Sequence, residues 1–364
     1  MLDAVTRLTA DLVAIDSVNP SLVPGGAGEA RIAAFVADWA RDAGLEADVL
    51  EETPGRPSVV ARARGTGGGR TLLLCGHIDT VTAEGMTDAP HEPRIDGDRL
   101  HGRGAYDMKA GVAAALVACR EAGRLGLAGD VVVGAVADEE HASLGVQEVL
   151  RSVGADAAIV TEPTELEVVV AHKGFVWIEI EVTGRAAHGS RPHLGEDAIV
   201  KAGAILTGIG ELDARLGERT HPLLGRGSIH ASTITGGEEL SSYPARCAIG
   251  LERRTLPGET AAGVEAEVAA LPGDATQRTL LAREPFEVSE DEEIVRLLRE
   301  AAPDAPVGGA SYWADAAFIA SAGIPTAMFG PGGEGAHAAE EWVSLADTEV
   351  VARTLLAVAQ RFCA

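Results

Sequence analysis

Short apolar runs that each end on an acid or a histidine recur along this chain, and they constrain its fold more than any other feature. Leu72, Leu73, Leu74 and Cys75 lead to His77 and Asp79. Val131 to Ala137 leads to Glu139 and Glu140, and Ala157 to Val160 leads to Glu162. Asp107 follows a turn marked by Gly102 and Gly104, and His337 stands in a late Gly-rich loop. Runs this short, separated by helix-length amphipathic segments, read as strands of a largely parallel sheet covered by helices. In open α/β sheets the carboxyl ends of the strands are where ligands bind. A single His-x-Asp or Glu-Glu pair is an ordinary polar strand end, but the same event at several ends points to one shared site.

The periodicity predicts helices over about residues 2 to 15 and 28 to 43, the second stopping at Gly44. Strands follow near 46 to 51, 57 to 64 and 71 to 76. A helix over 108 to 124 precedes strand 130 to 137, helix 144 to 152 and strand 157 to 161. Near Lys173 the style changes to strand 175 to 183, helix 197 to 216, strands 227 to 235 and 244 to 255, helix 259 to 271 and strand 277 to 287. That β-α-β-β-α-β order is the ferredoxin-like split unit. After Pro285 come helices 290 to 302 and 313 to 322, a short strand at Pro325 to Phe329 and a last helix over 346 to 362. The predicted organisation is a catalytic domain in two parts, residues 1–173 and 285–364, interrupted by an inserted α+β domain at 174–284.

With 364 residues the chain is long enough for two domains with sizeable cores. A net charge of −25 disfavours nucleic acid and anionic membranes as partners, since both attract basic surface. The four cysteines, Cys75, Cys119, Cys247 and Cys363, lack metal-type spacing and read as thiols of a reducing compartment. The first residues form an amphipathic pattern broken by Asp3, Arg7 and Asp11, unlike the apolar core of a signal peptide. No window approaches the length of a membrane span. A cytoplasmic protein is the expectation. Gly330-Pro331-Gly332-Gly333-Glu334-Gly335 fits the spacing of a dinucleotide fingerprint, but no helix and second β unit follow it.

Several strings together resemble metallopeptidase family 20, the co-catalytic zinc hydrolases that include acetylornithine deacetylase, succinyl-diaminopimelate desuccinylase, aminoacylase and glutamate carboxypeptidases. They are Gly76-His77-Ile78-Asp79-Thr80-Val81, Gly102 to Lys109, Asp138-Glu139-Glu140, Thr161-Glu162-Pro163 and His337. Ala187-His188-Gly189-Ser190-Arg191-Pro192, Arg254 to Glu259 and Glu341-Trp342-Val343 extend the likeness over nearly the whole chain.

The resemblance implies a zinc-peptidase-like catalytic domain with an inserted ferredoxin-like dimerisation domain, in a homodimer. It implies two divalent metal ions, zinc by family habit, with cobalt or manganese also accepted by such ligands. His77 and Glu162 would hold one ion, Glu140 and His337 the other, and Asp107 would bridge them. Glu139 would activate the metal-bridging water and pass its proton to the leaving amine. Asp79 would fix the ring of His77 by a hydrogen bond. His188 would reach the partner's site and stabilise the oxyanion. Arg254 would grip a substrate carboxylate, although beside Arg253 on an exposed strand it also reads as plain surface charge. The family's usual substrate-side Asn is Ser241 here, and Ala110 stands where Gly is frequent. A cis peptide is expected just after Asp107. His91, His101, His141, His172 and His193 have no matched role.

Three readings follow. One is an amidohydrolase that releases an acyl group from an N-acyl amino acid. The second is a carboxypeptidase or dipeptidase on the same scaffold, although Glu rather than Asp at position 162 weakens a substrate with a free amino terminus. The third is a metal-stabilised binding protein without activity.

Overall fold

The computed structural model describes residues 1–364. The chain opens with α1 (Leu2–Val13) and α2 (Ala30–Asp42). Each buries one stripe of residues, Val5, Leu8 and Leu12 on α1 and Ile32, Val36 and Ala40 on α2. That is the spacing of a helix laid on a sheet. Then come β1 (Glu46–Leu50), β2 (Ser58–Ala63), β3 (Leu72–His77) and a small hairpin of β4 (Arg94–Asp96) and β5 (Arg99–His101). Next are α3 (Ala110–Gly123), β6 (Val131–Val136), α4 (Leu144–Ser152), β7 (Ala157–Val160) and β8 (Val168–His172).

The middle of the chain holds β9 (Gly174–Thr183), β10 (Ala187–His188), α5 (Ala198–Leu216), β11 (Ser228–Gly236), β12 (Ser242–Tyr243), β13 (Arg246–Thr255), α6 (Ala261–Ala269) and β14 (Thr276–Arg283). The last part holds α7 (Glu293–Ala301), α8 (Ala316–Ser321), β15 (Thr326–Met328), β16 (Gly333–Glu334), β17 (Trp342–Ser344) and α9 (Leu345–Phe362). Two compact units result: residues 1–170, 288–308 and 314–364, and residues 171–287 with 309–313.

The first unit is an α/β layer structure around a mixed sheet in the order β1-β2-β6-β3-β7-β15-β8. Its four central strands, β6, β3, β7 and β15, are parallel, while β1, β2 and β8 join antiparallel at the flanks. β3, β6 and β7 are buried along their whole length, which is why they read as continuous apolar runs rather than alternating ones. The helix α3 is also buried on nearly every side, against α1 and α9 as well as the sheet, and its Ala-rich sequence suits that crowding. A second, four-stranded antiparallel sheet runs β16-β17-β5-β4.

The second unit is the ferredoxin-like arrangement, an antiparallel sheet in the order β11-β13-β9-β14. Alternate residues of β9, including Val176, Ile178, Ile180 and Val182, form its core with α5 and α6.

The sequence reading missed β8, although Val168, Val169 and Val170 are fully buried there. It also ran one strand from 277 to 287, which the structure breaks at Pro285. β14 ends at Arg283, and Phe286 and Glu287 pair instead with His172 and Ala171. Proline has no N–H to donate, so the ladder is not continued in register past Pro285.

Gly111 on α3 marks the tightest approach between this helix and the sheet: a Cβ there would sit 2.0 Å from the carbonyl oxygen of Thr161. A Gly111→Ala substitution would add about 1 kcal/mol of helix propensity. Forcing a methyl against a backbone oxygen costs more, about 1–3 kcal/mol. Gly111→Ala is therefore expected to lower the urea midpoint without changing the slope of the transition, and a midpoint above that of the wild type would contradict this packing.

Candidate active site

His77 is the last residue of β3, Glu139 and Glu140 follow β6, and Glu162 follows β7, so three adjacent parallel strands deliver their polar ends to one edge. The small sheet supplies the rest. β5 runs into the turn that carries Asp107, and β16 and β17 form the hairpin whose loop carries His337. Pairing of Trp342 with His101 brings the two together.

Asp107 stands at the centre. Its Oδ1 is 3.1 Å from Nε2 of His77, and its Oδ2 is 3.3 Å from Nε2 of His337. Glu140 Oε2 lies 3.1 Å from the same His337 nitrogen, and Glu162 Oε1 lies 4.0 Å from His77 Nε2. Donor atoms of His77, Glu139 and Glu162 lie within 4.8 Å of one another, as do those of His77, Asp107 and Glu140. All five residues proposed as ligands thus meet, with Glu139 equally close. The peptide between Asp107 and Met108 is cis.

Burial shapes the electrostatics. It pushes the carboxyls of Glu139 and Glu162 well above the usual carboxylate range, helped by neighbouring carboxylates and opposed by His77. Burial also raises Glu140, against the pull of His337. Burial would lower the pKa of His77, yet its hydrogen bond to Asp107 and the charges of Glu162, Glu139 and Asp79 hold it well above the ordinary value. Hydrogen bonds to Asp107 and Glu140 lift His337 to about 10. Asp107 is displaced the other way: burial opposes its ionisation, but the two histidines hold it below the usual range.

These residues fit a pair of divalent cations. Facing oxygens and nitrogens 3–4 Å apart are spaced as two donors on one ion at about 2.0–2.2 Å each would be. Asp107 turns one oxygen to each histidine, as a bridging carboxylate must. On the other side of its ring, His77 Nδ1 is 3.0 Å from the carbonyl oxygen of Asp79. A carbonyl only accepts, so Nδ1 carries the proton, which leaves Nε2 as the nitrogen that could ligate.

That contact corrects one expectation. The orienting acceptor is the main chain of Asp79, whose carboxylate is farther from Nδ1, at 3.6 Å. The carboxylate instead accepts the N–H groups of Glu139 and Glu140 at 3.1 and 3.3 Å and the side-chain amide of Asn19 at 2.8 Å. The turn carrying Asp107 is held in the same way. Glu341, in a string noted in the sequence but given no role, accepts the N–H groups of Gly104, Tyr106 and Asp107 and the guanidinium of Arg103.

His188 and Ser241 lie in the second unit. β10 pairs with β12, setting His188 opposite Ser242, and Gly189 N–H donates to the carbonyl of Ser241 at 2.7 Å. His188 is exposed, and the Ser190 N–H points at its Nδ1 at 3.2 Å. Nδ1 therefore accepts and Nε2 bears the proton, leaving a donor directed outward. Arg253 is not the exposed residue the sequence suggested. It is buried, with Glu259 at 2.8 Å and Glu267 at 3.1 Å. The pleat turns Arg254 to the opposite face, where it lies 2.9 Å from Glu252 and over the ring of Phe175. The glycines of 330–335 serve close packing. A Cβ at Gly330 would lie 1.9 Å from the carbonyl oxygen of Glu162, and one at Gly335 would lie 1.8 Å from that of Glu340.

A sequence profile of the peptidase family M20/M25/M40 matches residues 73–361. The chain belongs to this family. It is a metal-dependent hydrolase acting on amide bonds, with a divalent-metal site. The acetylornithine deacetylase of Myxococcus xanthus is 30% identical, covering 100% of this chain and 98% of that protein. The acetylornithine deacetylase of Proteus mirabilis is 29% identical, covering 98% and 96%. Among solved structures, the aminopeptidase PepT of Bacillus cereus superposes with a TM-score of 0.82 at 20% identity, over 100% of this chain and 99% of that one. The YXEP protein of Bacillus subtilis, a dinuclear metal binding peptidase from the M20 family, gives 0.74 at 16% identity, over 100% and 98%. At these identities the structural likeness concerns the fold. No helix of this M20 hydrolase is long and apolar enough to cross a membrane, and its four cysteines are buried as free thiols.

Histidines and carboxyls with raised proton affinity must give up protons to ligate. With His337 at about 10, metal uptake by the metal-free protein is expected to release protons and to tighten as pH rises from about 6 to 8. Titration calorimetry in buffers of different ionisation enthalpy measures that release. Uptake independent of pH and buffer would contradict this electrostatic picture.

Proposed function

We propose that this protein removes an acyl group from an N-acyl amino acid, in the manner of the acetylornithine deacetylases to which it is similar over nearly its full length. The observation that carries the reading is the Asp107 carboxylate set between two histidines, with the half-buried Glu139 and Glu140 and the buried Glu162 around it.

His77, Glu162, Asp107, Glu140 and His337 are the residues proposed to hold two divalent ions, zinc on this reading. When bound, such ions supply Lewis acidity, polarising the scissile carbonyl and lowering the pKa of the attacking water. Glu139 is the proposed base. It accepts a proton from the water and returns it to the leaving amine, and the burial that raises its proton affinity suits it to hold the proton between the two events. Asp79 positions Glu139 and Glu140 through their backbone amides.

His188, with Nε2–H directed outward, is the proposed oxyanion donor, acting across a homodimer as the family resemblance implies. Arg254 is proposed to bind the substrate carboxylate, exchanging Glu252 for it while keeping its stack on Phe175. Ser241 stands beside His188 as a candidate hydrogen-bonding group on the substrate side. The buried free thiols suit a reducing, cytoplasmic setting.

Glu139→Gln keeps the size of the side chain and removes the base. Its kcat is expected to fall by about 10²- to 10⁴-fold with metal content unchanged. Full activity in this variant would overturn the role given to Glu139, and loss of metal would make Glu139 a ligand instead. The substrate class is tested by assaying the zinc- or cobalt-loaded protein against N-acetyl amino acids, N-succinyl amino acids and dipeptides. Preference for an N-acyl amino acid is expected, whereas preference for dipeptides would make the protein a dipeptidase or carboxypeptidase.

A further inference from the structure

Behind the Glu139-Glu140 turn, Asp79 belongs to a buried polar network whose other members have no part in the proposed chemistry. Arg56 donates to both oxygens of Glu29, at 2.6 and 2.8 Å, and to Oδ1 of Asp138 at 2.6 Å. Asn19 bridges the same Asp138 oxygen at 3.0 Å and Oδ2 of Asp79 at 2.8 Å. Asn19, Glu29, Asp79 and Asp138 are each 0% exposed, and Arg56 is 7% exposed. The parts come from the Ser17-Val18-Asn19-Pro20 turn, the residue preceding α2, the loop before β2 and the end of β6.

Ion groups taken this far out of water cost several kcal/mol each, and apolar packing of the same volume is often at least as stable. Stability alone is therefore a poor reason for the network. Its position suggests another. Asp138 immediately precedes the two glutamates and has φ +68°, a left-handed conformation unfavourable for a side chain with a Cβ. Its carbonyl accepts the N–H groups of His141, Ala142 and Ser143, so the backbone coils tightly just past the glutamates. Asp79, tied to Asp138 through Asn19, accepts the amides of Glu139 and Glu140 themselves.

We infer that Arg56 and Asn19 are positioning residues for the reaction: Arg56, braced by Glu29, holds Asp138 in its left-handed turn, and Asn19 couples that turn to Asp79, so that Glu139 and Glu140 are aimed into the metal site. The inference rests on the proposed site. It assigns a functional task to residues outside the family motifs and touching no ligand atom.

The test uses the full-length protein loaded with cobalt(II). Wild type, Arg56→Met, Arg56→Lys and Asn19→Ser are compared by circular dichroism, thermal melting, cobalt visible spectrum, chelator competition, and kcat and KM on whichever panel substrate the wild type cleaves. Arg56→Met is expected to stay folded at assay temperature, lose about 10-fold in affinity for one of the two ions, the lower end of the loss when a direct partner of a ligand is removed, and alter the cobalt spectrum. Its kcat is expected to fall with KM nearly unchanged, and Arg56→Lys to recover part of both. Should Arg56→Met fail to fold, Asn19→Ser carries the test, since it cuts the tie to Asp79 while leaving the Arg56–Glu29–Asp138 cluster whole. Variants that merely melt earlier, with wild-type spectrum, affinity and kcat, overturn the positioning role and leave the site intact. A wild type that takes up no cobalt overturns the site itself.

Discussion

Crowding of like charge is the constraint on which this structure turns. Asp79, Asp107, Glu139, Glu140 and Glu162 converge at one end of a sheet whose strands are sealed from water. Carboxylates in such a place need donors or cations. The fold divides the task. Asp79, and Glu341 behind the Asp107 turn, take backbone N–H groups and so become struts for the two turns. The remaining carboxylates face each other, the buried Asp315 and two histidines, an arrangement whose charge divalent ions would balance. The small sheet then has a clear physical purpose: it carries Asp107 and His337 to the open side of a site whose other members come from the main sheet.

Much of this was legible in the sequence because the ligand-type residues sit directly after strongly patterned strands. A fully buried strand announces itself as an apolar run, and the residue after it is where the chemistry of a parallel sheet collects. The pieces that escaped have no local signature. β4, β5, β16 and β17 are two or three residues long, below the reach of any periodicity. Asn19 meets its partners 60 and 119 positions away, and Arg56 meets Asp138 82 positions away. Within the chain, Asn19 reads simply as part of a turn before proline. Arg253 was misread for a related reason: adjacent residues on a strand face opposite ways, and only the register decides which of Arg253 and Arg254 is buried.

The comparisons fall on two sides of the same scaffold. The curated relatives similar in sequence are deacetylases, while the solved structures that superpose include an aminopeptidase and a dinuclear metal binding peptidase. Arg254, Ser241 and His188, the residues proposed to meet the substrate, all sit in the second unit. The matched profile begins at residue 73, after Asn19, Glu29 and Arg56.

The interrupted chain path also sets a timetable for biosynthesis. Chains emerge from the ribosome N-terminus first and fold by domains. Residues 171–287 of the second unit are contiguous and have their own apolar core, so nearly all of that unit is present before the first is complete. The first unit must wait for β15, which pairs with both β7 and β8, and for α9, which covers α3. Until then a buried-type strand edge lies open, the kind of surface that recruits other unfolded chains. Aggregation of the newborn protein, rather than unfolding of the finished one, is the hazard this topology imposes.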